Sequence, residues 1–218
     1  MRTILKGIGK LFCALVSILL VAVLIIGGWF GVQGYNMYQD AVEDMPISEK
    51  VETIRAMDNF VEYEELPKIY IDAVISVEDK RFEEHHGVDY LAICRAVWND
   101  IRTFSLAEGG STITQQLMKN EYFTQEKKLE RKFAEIYFGS GYYGIYDAAE
   151  GYFGKEPSEL NEYEAVMLAG LPNAPSAYSP DTSPELAKQR MRQVLDRMVE
   201  CEVIDQTEAD NLLAQADE

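Results

Sequence analysis

The sequence predicts an all-α domain that follows one N-terminal transmembrane helix. Residues 11–32, LFCALVSILLVAVLIIGGWFGV, contain no charged residue. Apolar residues then recur every three or four positions over 67–83, 158–171 and 183–215, which is the period of an amphipathic helix. No segment shows a convincing alternation of apolar and polar residues, which is the pattern of a half-buried strand.

The first 65 residues divide into a basic tail (1–10), a membrane-spanning helix (11–32) and a juxtamembrane connector (33–65), ahead of a domain at 66–218. At 1.5 Å per residue, the 22 uncharged residues span about 33 Å as a helix, and a bilayer core is about 30 Å thick. Basic residues precede the run and acidic residues follow it: Arg2, Lys6 and Lys10, then Asp40, Glu43 and Asp44. This asymmetry predicts a cytoplasmic N-terminus and a domain on the extracytoplasmic face. The alternative is a cleaved signal peptide, but the run exceeds the roughly 7–15 apolar residues of such a peptide, so we expect an uncleaved single-pass anchor.

The charge balance argues against a nucleic-acid partner. The chain carries a net charge of −17, and three of its 20 Lys and Arg residues lie in the basic tail. The remaining chain therefore sets 17 basic residues against 37 acidic ones, whereas binding to a phosphate backbone needs a basic face. Cys13, Cys94 and Cys201 show neither metal-ligand spacing nor a disulfide framework, and His85 and His86 are the only histidines. Zinc chemistry and a Ser-His-Asp triad are therefore poorly supported.

The domain is predicted to consist of helices joined by loops. Thr112-x-x-Gln115 is a capping-box pattern, which marks the start of a helix. Residues 136–155 are rich in Tyr, Phe and Gly and are not predicted to form a helix. The predicted helices cover 67–83, 89–104, 112–122, 125–135 and 158–171, followed by two helices within 183–215 that are broken near 201–206.

The segment VEDKRFEEHHG contains a candidate general base. If the first domain helix persists, Glu78, Phe82 and His85 share one face at positions i, i+4 and i+7. Glu78 follows the apolar run AVIS, so we expect its carboxylate where a buried helix meets a cleft. Burial there can raise the pKa of a carboxyl group and suit it to general-base catalysis. The alternative is a solvated acidic helix end.

The segment EGGSTITQQLMKN contains a candidate pyrophosphate site. Gly109 and Gly110 allow the backbone to approach a ligand closely. The helix that opens at Ser111 presents free N–H groups, which favour an anion. One helix face then carries three polar side chains: Thr112, Gln116 and Lys119. The alternative is a Gly-rich turn followed by an N-cap and surface polar residues.

The segment LERKFAE adds two further cations, Arg131 and Lys132, and an acid, Glu135. Glu135 lies four residues after Arg131, a spacing at which helical side chains form ion pairs worth a few tenths of a kcal/mol. From these residues alone, an exposed ion pair accounts for the pattern as well as a functional site does.

Four motifs in this order resemble the glycosyltransferase family 51 domain, which is the peptidoglycan glycosyltransferase module of class A penicillin-binding proteins and of monofunctional transglycosylases. They are EDKRFEEHHG, GGSTITQQLMKN, RKFAE and MLAGLPNAPSAYSP. The similarity runs from about residue 66 to 200, and the N-terminal anchor also fits. The family pattern E-D-x-x-F-x-x-H-x-G is met from Glu78 to Gly87, and G-G-S-T-x-T-Q-Q-x-x-K-N is met from Gly109 to Asn120.

The resemblance implies a lysozyme-like α-helical fold against the outer leaflet of a bacterial cell membrane, and polymerisation of lipid II into glycan strands. It implies that Glu78 deprotonates the acceptor sugar's 4-hydroxyl, whose oxygen attacks the anomeric carbon of the growing chain with inversion as undecaprenyl pyrophosphate leaves. Glu135 is implied to assist the leaving group, with a divalent cation, Mg²⁺ or Mn²⁺, as cofactor. The implied partners are lipid II, the growing strand, the membrane and other cell-wall synthesis proteins. The implied substrate-binding residues are Asp79, Phe82, His85, Gly110, Ser111, Thr112, Gln115, Gln116, Lys119, Arg131 and Lys132.

The sequence departs from the family at one place. In the family, R-K-x-x-E opens a long helix, a second stretch similar to K-x-x-I-L-x-x-Y-L-N follows, and only then comes I-Y-F-G. Here RKFAE runs directly into IYFG, so Glu135 can end the first motif or begin the later one. We expect a rearranged or destabilised lobe near 131–145 and a less affected Glu78 region, because Glu135 has lost the helix that would fix its direction.

Two other functions stay open at this point. The missing stretch motivates a catalytically impaired paralogue that binds lipid II or cell-wall synthesis proteins. A lysozyme-like hydrolase shares the carboxylate chemistry, but hydrolysis has no use for a pyrophosphate site or a membrane anchor. The 218 residues end without a transpeptidase domain, so penicillin binding is not expected.

Overall fold

The computed structural model describes residues 2–103, 109–122 and 136–215, with side chains described from residue 10 onward. These residues belong to two compact units, Met1–Thr53 and Ile54–Glu218. The candidate site lies wholly within the second unit.

The first unit consists of one long helix and most of a short one. Helix α1 (Arg2–Asp44) is long and apolar enough to cross a membrane from Lys10 onward, and none of its apolar window is buried in the protein. The helix continues beyond the predicted end at residue 32. It stops before Pro46, because the residue that precedes a proline is disfavoured in the helical region. Helix α2 (Ile47–Arg55) begins immediately afterwards.

The second unit is a helical domain with one small hairpin, so the all-α prediction is confirmed. Short 3₁₀ turns lie at Tyr63–Glu65, Pro157–Glu159 and Leu171–Asn173. The elements are, in order, α3 (Lys68–Glu78), α4 (Tyr90–Thr103), α5 (Ile113–Tyr122), β1 (Tyr137–Gly139), β2 (Tyr142–Tyr143), α6 (Gly144–Phe153), α7 (Glu162–Gly170), α8 (Pro175–Tyr178), α9 (Pro184–Glu200) and α10 (Gln206–Ala214).

The core is built around α7, which packs against both α3 and α9. Seven consecutive residues of α7, from Glu164 to Gly170, are buried, as expected for a helix that is apolar on all sides. Met191, Val194, Leu195 and Met198 of α9 fill the space beside it, each at most 2% exposed. This packing fixes α3 and α9 relative to each other, and both helices contribute to the cleft described below.

Two predicted helix boundaries are wrong. The first domain helix ends at Glu78 rather than near residue 83, because Asp79 leaves the helical region (φ −160°, ψ 70°). Glu78, Phe82 and His85 therefore do not share a helix face. Helix α7 begins at Glu162 rather than at residue 158, because the Asn161 side chain accepts a hydrogen bond from the Glu164 N–H and caps the helix there.

The hairpin β1–β2 was not predicted. Its loop residues Ser140 and Gly141 both have positive φ (51° and 92°), as a type I′ turn requires. Phe138 in β1 is 1% exposed, and the Tyr152 hydroxyl donates to its carbonyl oxygen across 3.0 Å. The described part of the lobe that we expected to be rearranged, from 136 onward, is therefore packed against the core.

Candidate active site

A cleft of about 510 Å³ lies between the C-terminal end of α3, the N-terminal part of α5 and one face of α9. Helix α3 contributes Glu78, and α5 and the preceding loop contribute Gln116, Ser111 and Gly109. Asn173 closes the cleft from the loop after α7. The structure thus brings Glu78 and the Gly-rich segment to one cavity, although 31 residues separate Glu78 from Gly109 in the sequence.

The Glu78 carboxylate is held by an amide of the neighbouring helix. The Gln116 Nε2 donates to Glu78 Oε2 across 2.9 Å. Glu78 is partly exposed to the cleft, so its second oxygen can reach a ligand while the first is oriented by Gln116. A carboxylate positioned in this way can accept a proton from a hydroxyl that binds in the cleft.

Asp79 lies behind Glu78 and joins three parts of the domain. Its side chain is 4% exposed, and its Oδ2 accepts a hydrogen bond from the backbone N–H of Ile113, the first residue of α5, across 3.1 Å. Both Asp79 oxygens also contact His85 Nε2, at 2.8 and 2.9 Å. Asp79 therefore caps α5 and does not reach into the cleft. It positions the start of α5 relative to the end of α3.

The hydrogen bonds of His85 select one tautomer. The Gly87 N–H donates to His85 Nδ1 across 3.2 Å, which requires a lone pair on that nitrogen. The proton of a neutral ring is then on Nε2, where it is donated to Asp79. His85 is 6% exposed on its side chain, so it supports Asp79 rather than meeting a ligand in the cleft.

The predicted capping box at Thr112 and Gln115 is confirmed. The Thr112 N–H donates to Gln115 Oε1 across 3.0 Å, and the Gln115 N–H donates to Thr112 Oγ1 across 3.1 Å. The Thr112 hydroxyl donates in turn to the Gly87 carbonyl oxygen across 2.5 Å. Thr112 is 1% exposed, so these two side chains shape the start of α5 and leave the cleft wall to Ser111 and Gln116.

Three other predicted site residues lie outside the cleft wall. A Cβ at Gly110 would come within 3.3 Å of the Ile93 Cα, so this glycine allows the loop to approach α4. Phe82 is 38% exposed and lines a separate apolar groove. Lys119 is exposed near the C-terminal end of α5. The sequence placed Thr112, Gln116 and Lys119 on one face, but of the three only Gln116 lines the cleft.

Two arginines that the sequence analysis did not select also line the cleft. Arg190 and Arg197 lie seven residues apart on α9, a spacing that places both on one helix face. The Arg190 Nε donates to the Gly170 carbonyl oxygen across 3.1 Å, and its guanidinium lies over the Tyr178 ring, 5.9 Å from the ring centroid. Burial lowers the pKa of Arg190, and the charges of Tyr178 and Glu78 oppose that shift. The sequence signal that could have identified Arg190 and Arg197 is a pair of basic residues at helical spacing in a strongly acidic chain.

The predicted residues Arg131, Lys132 and Glu135 lie outside the described residues. The part of the chain that the structure describes contains no group of three His, Cys, Asp or Glu side chains that could hold a metal ion. The divalent cation therefore stays a prediction from the resemblance.

A sequence model described as "Transglycosylase" matches residues 47–137 and 134–199, which together cover more than half of the chain. The chain belongs to the transglycosylase family. The match confirms the resemblance to glycosyltransferase family 51. It also breaks into two segments that overlap at 134–137, the junction at which the sequence predicts a missing stretch.

Several relatives of this transglycosylase chain are penicillin-binding proteins. Penicillin-binding protein 1A of Neisseria flavescens is 40% identical over 179 residues, covering 72% of this chain and 22% of the relative. Penicillin-binding protein 1A of Aquifex aeolicus is 42% identical over 65% of this chain and 23% of its own length. Penicillin-binding protein 1F of Bacillus subtilis is 42% identical over 63% of this chain and 22% of its own length. The chain thus spans about a fifth of the length of these relatives.

The same alignments show that the relatives have additional residues in the aligned interval. The 179 aligned positions of the Neisseria flavescens protein take up 72% of this 218-residue chain, about 157 residues, so about 22 positions have no counterpart here. The Aquifex aeolicus alignment gives the same difference, since 164 positions take up 65% of the chain, about 142 residues. The transglycosylase domain of this chain is therefore internally shortened.

The solved structure of penicillin-binding protein 1A from Haemophilus influenzae also matches the chain. It is 27% identical, covers 70% of this chain and 17% of its own, and superposes with a TM-score of 0.44.

Proposed function

We propose that this protein is a peptidoglycan glycosyltransferase that polymerises lipid II and releases undecaprenyl pyrophosphate. Family membership supports transfer of a glycosyl group in peptidoglycan synthesis. The observation that carries the finer assignment is the Glu78 carboxylate, which faces the cleft while Gln116 orients one of its oxygens.

In this proposal Glu78 is the general base. Its free oxygen removes the proton from the acceptor sugar's 4-hydroxyl, and the resulting oxygen nucleophile attacks the anomeric carbon of the donor. The bond from that carbon to the pyrophosphate oxygen breaks on the opposite face, so the configuration inverts. Gln116 holds the carboxylate in one orientation, which supports proton transfer because the base must be correctly aimed.

The leaving pyrophosphate carries negative charge that the cleft can stabilise. Arg190 and Arg197 bring positive charge to the cleft wall on α9, and a guanidinium can hold phosphate oxygens in two hydrogen bonds. Asp196 and Glu200 line the same wall, and Arg197 Nη1 pairs with Glu200 Oε2 at 2.6 Å, so Arg190 is the stronger candidate of the two. We therefore assign these two arginines to substrate binding, together with Ser111, and assign Gln116 to the orientation of Glu78. Lys119, Arg131, Lys132 and the leaving-group role of Glu135 stay predictions from the family motif, as does the divalent cation.

The proposed location is the extracytoplasmic face of a bacterial cell membrane, with the N-terminus in the cytoplasm. Helix α1 supports one membrane span, and the charge asymmetry around residues 11–32 supports this orientation. Lipid II, the growing glycan strand and other cell-wall synthesis proteins are the proposed partners.

The decisive experiment supplies the purified full chain in detergent with labelled lipid II and Mg²⁺ or Mn²⁺. We expect glycan polymer from the wild type and none from Glu78→Gln, which keeps the shape of the side chain but cannot accept the proton. A second candidate function is motivated by the roughly 22 missing positions: a paralogue that binds lipid II without polymerising it. Lipid II binding without polymer, from a folded wild-type protein, would establish this second function instead.

A further inference from the structure

An apolar groove of about 450 Å³, separate from the cleft, runs along α3, which contributes Tyr70, Ile71, Val74 and Ile75 to it. Four parts of the chain form it: the segment 54–66, helix α3, Ile113, and the residues from Ile136 to Ile145. Among the described residues that line it, only Glu83 carries a charge. A groove of this size with almost no polar lining is typical of a surface that another apolar element covers.

The groove borders the point at which the family sequence is interrupted. The two family matches overlap at 134–137, and Ile136 within that overlap lines the groove. Phe138 and Ile145, which follow the junction, form part of the same wall. The stretch that the relatives have and this chain lacks therefore joins the domain at the edge of the groove.

The size of the missing stretch fits a helix. About 22 positions of the relatives have no counterpart here, and as a helix they would extend about 33 Å. Apolar residues at helical spacing would give such a helix one apolar side to place against the groove. An amphipathic helix that buries one face in an apolar groove is a recurrent mode of recognition.

Exposed apolar side chains mark the rim. Ile136 is 53% exposed and Tyr63 is 64% exposed, although both line the groove. The chain has a net charge of −17, and Glu83 is the charge at the groove. A helix whose outer face is basic is therefore favoured over an acidic one.

We propose that this groove binds an amphipathic helix, with a basic polar face, that is supplied by another protein and replaces the family segment missing from this chain. The inference goes beyond the proposed catalytic function and does not depend on it. It predicts that the chain gains stability when such a helix is added, because an occupied groove removes apolar surface from water.

The test uses the full chain in lipid nanodiscs and a fluorescent peptide. The peptide carries the residues that penicillin-binding protein 1A of Aquifex aeolicus has at the gap in its alignment with this chain. We expect saturable binding by anisotropy and a higher thermal unfolding temperature, and neither from a peptide of the same composition in scrambled order. Ile136→Asp is expected to weaken binding about tenfold or more, because it places a charge in the apolar contact.

Val203→Asp is the matched control, since Val203 is 39% exposed and lies outside the groove. It should bind the peptide as the wild type does. No binding, equal binding of the scrambled peptide, or undiminished binding by Ile136→Asp would overturn the proposal.

Three other outcomes would assign the groove to a different occupant and overturn the proposal too. One is binding of a peptide with this chain's own residues 123–135 in place of the relative's peptide. Another is uptake of a fluorescent fatty acid that Ile136→Asp abolishes, with no peptide binding. The third is self-association that Ile136→Asp alone disrupts.

Discussion

The side-chain amide of Gln116 lies 2.9 Å from the Glu78 carboxylate and joins the end of α3 to the second turn of α5. If Glu78 is the base, this bond sets its direction. We expect Gln116→Leu to reduce glycan-polymerising turnover by roughly 10- to 100-fold with little change in KM, because the base is misaligned while substrate contacts persist. The measurement is steady-state polymer formation from labelled lipid II.

Gln206→Leu is the control for the Gln116 variant. Gln206 Nε2 donates to Asp210 Oδ1 across 3.0 Å in an exposed part of α10, so the same type of bond is lost away from the cleft. Its turnover should equal that of the wild type. Equal losses in both variants would show that the Gln116 bond has no special part in catalysis.

Arg190 is expected to contribute to substrate binding. Arg190→Gln removes a positive charge from the cleft and should raise KM for lipid II roughly tenfold or more, because a charge-assisted contact to phosphate is lost. Arg190→Lys keeps the charge without the planar guanidinium, so an intermediate KM is expected. Arg192→Gln, two residues along the same helix and outside the cleft wall, is the control. A wild-type KM in Arg190→Gln would remove this arginine from the binding site.

Asp79 is expected to contribute to stability more than its neighbours on the surface. Asp79→Ala leaves the His85 Nε2–H and the Ile113 N–H without their acceptor, at a cost of about 2–4 kcal/mol. The thermal unfolding temperature should fall by roughly 5–10 °C. Asp205→Ala removes an exposed cap from α10, for which about 1 kcal/mol is expected. Circular dichroism of both variants checks the prediction, and equal shifts would contradict it.

Two glycines of the hairpin provide a matched pair. Gly139 and Gly141 have nearly the same φ, 94° and 92°, so alanine meets similar backbone strain at either position. A Cβ at Gly139 would also lie 2.6 Å from the Pro175 carbonyl oxygen, whereas nothing lies within 4 Å at Gly141. We expect Gly141→Ala to cost about 1–2 kcal/mol and Gly139→Ala several kcal/mol more. Thermal unfolding of both variants tests this prediction. Similar losses of stability in the two variants would show that Pro175 moves away from the added Cβ.

The stability contribution of Asp89 should depend on pH. The Ala92 N–H donates to its Oδ1 and lowers the pKa of Asp89 below the usual 3.8, with Arg81 acting in the same direction and burial opposing. A lowered folded-state pKa stabilises the protein above the usual pKa, and that stabilisation is lost as the pH falls through the lowered value. Asp89→Asn should therefore unfold at a lower temperature than the wild type at neutral pH, and the difference should close as the pH falls below the usual pKa of 3.8. Thermal unfolding of both proteins from neutral pH downward is the measurement, and a difference that stays constant with pH would contradict the prediction.

The elements best predicted from the sequence were those with local signals. The capping box at Thr112 and the break between α9 and α10 depend on neighbouring residues, and both are confirmed. Glu78 was placed at a cleft because an apolar run precedes it. The end of α3 depends on Asp79, whose carboxylate turns away to meet Ile113 34 residues later, so the local pattern could not show it.

The cleft wall on α9 was missed for the same reason. Arg190 is 112 residues from Glu78, and only the packing of α9 against α3 brings the two together. Because Arg190 lies on a regular amphipathic helix, its sequence context does not differ from that of an arginine exposed on the surface. The hairpin was missed because its strands have only three and two residues, too few to show alternation.

The three hydrogen bonds of Asp79 hold one side of the cleft together. They connect the end of α3, the loop through His85 and the start of α5, all of which lie on one side of the sequence junction. The other side of the cleft is α9, which follows the junction and packs directly against α3. A change of length at the junction therefore leaves the hydrogen-bonded side intact in sequence and can alter the width of the cleft only through the packing of α3 against α7 and α9.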